Sequence, residues 1–141
     1  MDPTYRFVDH TADFAVELDA PSLEALFEVS VRALAHVLTD DPDVVRDLEA
    51  RRLCLDGLDR EELLVGLGNE VLYRFEVEGW LAARLEVREL SDERLEGELH
   101  GEPFTPARHD IARPIKAVTH HGAAIEVSDD GRVRGTLLYD L

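Results

Sequence analysis

Three residues of this 141-residue chain have the type and setting to do chemistry: Asp13, Lys116 and Asp140. Asp13 closes a polar turn, Asp9-His10-Thr11-Ala12-Asp13, between two short apolar runs. Asp140 is the penultimate residue, so the α-carboxylate of Leu141 is expected beside it. If Asp13 lies near these two groups, three negative charges crowd one partly desolvated place and repel strongly. Such a cluster is tolerated when one group takes a proton or when a cation fills it. Hard oxygen donors favour Ca²⁺, Mg²⁺ or Mn²⁺ over softer metals. Lys116 is the single lysine among 15 basic residues. It lies in residues 101–122, a stretch that also holds three of the six Pro and three of the six His. Each has a structural alternative: Asp13 can cap a turn, Asp140 can end a strand in solvent, and Lys116 can pair with one of many acids.

Other catalytic constellations are missing. Neither Gly-x-Ser-x-Gly nor His-Glu-x-x-His occurs, and Cys54, the only cysteine, falls in an expected strand without an obvious His partner. His120 and His121 are adjacent, and neighbours on a strand point to opposite faces, so they are not expected to share one ion. His36 falls inside a helical pattern and reads as a surface or core residue. Gly66 and Gly68 lack the strand-turn-helix context of a phosphate loop, and close packing against a sheet is the better account of both.

These residues must be positioned by the elements around them. Tyr5–Val8 and Phe14–Leu18 read as strands flanking the first turn. Ser22 is the expected N-cap of a helix whose stripe is Leu23, Leu26, Phe27, Val31, Leu34 and Leu38, running to about Thr39. Arg51–Leu55 reads as a strand. Asp59 and Glu62 then form a capping-box pattern for a second helix carrying Leu63, Leu64, Leu67, Val71, Leu72 and Phe75, with Gly79 as its stop. Alternating runs around Ser91-Asp92-Glu93 and around Asp129-Asp130-Gly131 predict two hairpins. The expected fold is a single α+β domain over 1–141, a mixed or antiparallel sheet with two amphipathic helices on one face.

Composition narrows the function classes. With 31 acidic against 15 basic residues, the net charge is −16, which opposes direct, high-affinity binding to nucleic-acid phosphates. No apolar run approaches the roughly 20 residues of a membrane helix, the first residues lack the pattern of a signal peptide, and a lone cysteine suits a reducing compartment. A cytoplasmic, soluble protein is expected.

Several separated motifs, taken in order, resemble the archease family. They are His10-Thr11-Ala12-Asp13, Gly101-Glu102-Pro103-Phe104, Ile115-Lys116-Ala117-Val118-Thr119 and the closing Asp140-Leu141. Leu23–Phe27, Glu62–Val65 and Asn69–Tyr73 fit as well. The resemblance implies a protein that is not itself a catalyst but activates an RtcB-type RNA ligase in tRNA splicing, promoting its guanylylation and repeated turnover. It implies a metal site of Asp13, Asp140 and backbone oxygen of Leu141, with calcium the favoured ion, and a functional role for Lys116. His10 and His121 would support the site, although this chain has His120 where the family commonly has Tyr. Two rivals stand beside this reading: a chaperone or adaptor for another tRNA-processing enzyme, such as a tRNA methyltransferase, and a metal-dependent hydrolase using Asp13, Asp140 and a His base. The hydrolase lacks a complete acid–base set.

Overall fold

The structure is a computed structural model that describes residues 2–9, 13–41 and 43–141. In chain order its elements are β1 (Thr4–Asp9), β2 (Asp13–Ala20), α1 (Leu23–Thr39), β3 (Glu49–Asp56), α2 (Arg60–Glu76), β4 (Trp80–Leu90), β5 (Arg94–Pro103), β6 (Ala117–Val127) and β7 (Val133–Asp140). The α+β class and both helices match the expectation. The strands, however, divide into two sheets, a four-stranded one in the order β1-β2-β7-β6 and a three-stranded one in the order β3-β5-β4. All pairings are antiparallel. Alternation in the sequence tells which face of a strand is apolar, but not which strand lies beside it, so the division is invisible at that level.

Both helices are shared between the sheets. α1 packs on β4 and on β2, and α2 packs on β6 and on β4. This explains why α1 is buried well beyond a single stripe, with Val29, Ser30, Ala33 and Ala35 joining Leu26, Phe27, Val31, Leu34 and Leu38. Its start is fixed by Ser22, whose Oγ accepts a hydrogen bond from the Ala25 N–H at 3.1 Å, a cap worth about 1 kcal/mol. It ends where Asp40 turns left-handed, φ 57°, and returns its N–H to the His36 carbonyl. α2 begins with Asp59, whose Oδ1 accepts from the Glu62 N–H at 2.8 Å. Glu62 reaches back as a capping box requires, but takes the N–H of Leu58 at 3.3 Å, one residue before the cap. Gly79, φ +64°, closes the turn after α2.

The two helical glycines differ. A Cβ on Gly68 would stand 2.6 Å from the Val118 Cγ2 of β6, so close approach demands glycine there. A Cβ on Gly66 would meet nothing within 4 Å, and the expectation of close packing fails at that position. Gly68 brings α2 against β6, the edge strand of the four-stranded sheet. The neighbouring Asn69 then caps that edge: its Nδ2 donates to the Val118 carbonyl at 2.9 Å and its Oδ1 accepts the Val118 N–H at 2.8 Å. One side-chain amide thus supplies the donor and acceptor of a missing strand.

Candidate functional site

β7 places the residues that the sequence singled out. In the β2–β7 ladder Asp13 is the direct partner of Asp140, and directly opposed residues of an antiparallel pair have Cα atoms about 4.5–5.5 Å apart. On the other side of β7, Ala117 is the partner of Asp140, and the Lys116 N–H donates to the Asp140 carbonyl at 2.7 Å. The start of β2, the end of the Pro-rich stretch and the end of β7 therefore meet at one end of one sheet. Lys116 is exposed, and Leu141 follows Asp140 into solvent. His10 lies outside the described residues.

The connection from β5 to β6 is held at several points before it delivers Lys116. Glu102, at the end of β5, is only 2 % exposed, as is His109. One Glu102 oxygen takes the main-chain N–H of Arg46 at 2.6 Å and stands 3.1 Å from the His109 Nε2. The other takes the Arg46 guanidinium at 2.9 and 3.0 Å. Burial alone would push the Glu102 carboxyl up; the hydrogen bonds from Arg46 and His109 outweigh it and lower it to about 2. His109 Nδ1 accepts the Thr105 N–H, closing the 105–109 turn. Farther on, the N–H of Ala112 donates to the Leu38 carbonyl at the end of α1. The Arg113 guanidinium bonds Asp40 at 3.2 Å and lies over the ring of Phe14, the residue after Asp13. Ile115 is buried as the last anchor before Lys116.

His109 serves as scaffold for this stretch, closing its turn and holding Glu102. Arg46, the partner of Glu102, is not legible in the sequence, because residues 43–50 show no usable period. The reading of His120 and His121 rests on regular strand alternation, and β6 is not regular there. Thr119 faces Leu138 and Ala124 faces Thr136, so His120 to Ala123 stand against Leu137 alone. Gly122, φ +76°, makes this bulge, and both histidines are exposed on it. The bulge sits at the level of Leu137, three residues along β7 from Asp140.

Fold and site together define a small two-sheet α+β protein in which the start of β2 meets the end of β7. The model of the Archease protein family (MTH1598/TM1083) matches residues 5–141. The protein archease of Methanopyrus kandleri is 35 % identical over 137 residues, covering 95 % of this chain and 96 % of that protein. Its counterpart in Pyrococcus furiosus is 32 % identical over 140 residues, covering 97 % and 98 %. The chain belongs to the archease family. Among solved structures, the solution structure of Methanobacterium thermoautotrophicum protein 1598 superposes with a TM-score of 0.77 at 28 % identity, covering 97 % of this chain and 98 % of that one. A Thermotoga maritima crystal structure described as an archease and possible chaperone gives 0.66 at 19 % identity, covering 95 % and 94 %, and supports the fold alone.

Proposed function

We propose that this protein is a non-catalytic cofactor of an RtcB-type RNA ligase, promoting the ligase's guanylylation and multiple turnover in tRNA splicing or RNA repair. The observation that carries the reading is the convergence of Asp13, Lys116 and Asp140 on neighbouring strand ends, because the family resemblance assigns the functional residues to these same positions. The donor set that the resemblance assigns there is two carboxylates and main-chain oxygen. It fits a hard divalent ion, Ca²⁺ first, with Mg²⁺ or Mn²⁺ as alternatives. Asp13, Asp140 and backbone oxygen of Leu141 would hold it, with His10 and His121 as supporting residues. When bound, such an ion supplies positive charge to phosphate oxygens. Lys116 contributes the same from the protein side: an exposed ammonium at the end of an anchored loop can neutralise charge that develops during nucleotidyl transfer.

Net charge supports the choice of partner. At −16 the chain repels an RNA backbone and is drawn to the basic surface on which a ligase holds RNA. Among the described residues no helix is long and apolar enough to cross a membrane, and the reading sets the protein in the cytoplasm beside its ligase. The test is guanylylation and multiple-turnover ligation by a purified RtcB-type ligase, with and without this protein. Stimulation is expected from the wild type and lost in Asp13→Asn, Asp140→Asn and Lys116→Ala, each with an unchanged melting curve. Full stimulation by all three variants would overturn the reading. A second reading is a chaperone or adaptor for another tRNA-processing enzyme such as a tRNA methyltransferase, a basic partner to which the acidic chain is equally suited. Tight association with the ligase without any change in turnover would select it.

A further inference from the structure

The solvent face of the three-stranded sheet carries a second set of ligand-type side chains, away from the Asp13–Asp140 end. Glu86 on β4 is the cross-strand partner of Glu98 on β5, and His100 stands two residues along on the same face of β5. One donor atom from each of Glu86, Glu98 and His100 lies within 4.8 Å of the others. The imidazole between them is unusual. Its Nδ1 stands 3.2 Å from Asp47 Oδ1, and a carboxylate only accepts, so the Nδ1 proton belongs to that contact. Its Nε2 is buried and has no hydrogen-bond partner, although Glu86 Oε2 is 3.5 Å away. A ring nitrogen without a protein partner beside two carboxylates takes its partner from water or from a cation. A histidine held by a carboxylate on one nitrogen, with the other free and directed at further carboxylates, is the arrangement that metal-bound histidines adopt.

We infer that Glu86, Glu98 and His100 form a second divalent-metal site on the outer face of the three-stranded sheet, with Asp47 as the outer partner that orients the imidazole. One nitrogen with two carboxylate oxygens suits Zn²⁺, with solvent in the fourth position, and not the calcium-type ion of an all-oxygen site. Asp47 is equipped for its part: its Oδ2 accepts from the Arg84 Nε at 2.6 Å, which leaves Oδ1 for the imidazole. Arg88 is the competitor. Its guanidinium lies on both Glu98 and Glu86, but its side chain is 60 % exposed and turns out into water without disturbing the core. Metal and Arg88 exchange for the same two carboxylates, so the arginine sets the affinity. The site is independent of the ligase reading.

The test is calorimetric titration of the full chain with ZnCl₂, using a variant with Asp13→Asn and Asp140→Asn so that the oxygen site takes no part. One zinc per chain is expected. His100→Gln should abolish saturation, Asp47→Ala should weaken binding about 10- to 100-fold, and Arg88→Gln should tighten it. The ring-nitrogen spectrum of the histidines should move at His100 Nε2. His120→Gln with His121→Gln should change nothing. If His100→Gln fails to fold, the Arg88→Gln affinity and the His100 resonance still decide. Zinc binding that survives in folded His100→Gln, or that follows His120 and His121, overturns the site. So does the absence of zinc binding.

Discussion

The two halves of the segment from Gly101 to Gly122 use charge in opposite ways. Glu102 and His109 are taken almost wholly out of water, and every bond they make with Arg46 and Thr105 is internal. Lys116, His120 and His121 stand in solvent on a strand end and a bulge. A buried carboxylate costs several kcal/mol unless its oxygens are filled, so a protein that keeps one has surrounded it. The first half therefore pins the loop, and the second half presents what the pinned loop delivers. An acidic chain has many carboxylates to choose from, and among the described residues the one it buries is the one with a complete set of donors.

The sharpest way to break this contrast is to remove the buried charge. Glu102→Ala leaves Arg46 and His109 without their acceptor and should cost about 3–5 kcal/mol in urea unfolding. A loss under about 1 kcal/mol would mean that the network is dispensable and that both halves are surface. Acid offers a second handle of similar size. The Glu102 carboxyl sits at about 2 in the folded protein against an ordinary 4.5. Its contribution is therefore fully present above pH 4.5 and disappears as pH falls from there toward 2, a change of about 3 kcal/mol. In Glu102→Ala the stability should change more gently with pH across that window.

The next effect separates the halves mechanically. The three atoms nearest to a Cβ built on Gly68 all belong to Val118, in the second half. Gly68→Ala should force Val118 aside and cost about 1–3 kcal/mol, while leaving the acid response of Glu102 intact. Gly66→Ala, two positions away and facing open space, should instead stabilise the helix by about 0.5–1 kcal/mol. Matching signs for the two would show that helix propensity, and not the contact with β6, governs the pair.

The contrast was only partly legible in the sequence. Helices were readable because their period and caps are local: Ser22, Asp59 and Gly79 act within four residues of themselves. The Asp13–Asp140 pairing was not, since strand alternation carries no address for a partner 127 residues away; the residue types raised it only as a condition, and the motif resemblance assigned both to one site. Glu102 looked like any other acid, because its burial depends on an Arg46 that no period announces. The His120–His121 bulge was hidden for a different reason. Gly122 marks it, but a single glycine in a strand can equally signal close packing, as Gly97 does against the Glu86 carbonyl.

Lys116 gives the smallest stability effect and the finest test of the contrast. Its main-chain N–H holds the Asp140 carbonyl, and that bond survives any side-chain substitution. Its side chain is exposed on a surface rich in acids, where single ion pairs are worth about 0–1 kcal/mol. Lys116→Ala should therefore shift unfolding by no more than about 0.5 kcal/mol, yet reduce stimulation of the ligase at least tenfold if the ammonium acts on phosphate, a loss of about 1.4 kcal/mol in the barrier. Lys116→Arg separates charge from shape: partial rescue means that positive charge suffices, and none means that a compact point charge is needed. A loss of more than about 1 kcal/mol in stability on Lys116→Ala would place the residue with Glu102 as part of the scaffold, and the division between a pinned half and a presenting half would fall.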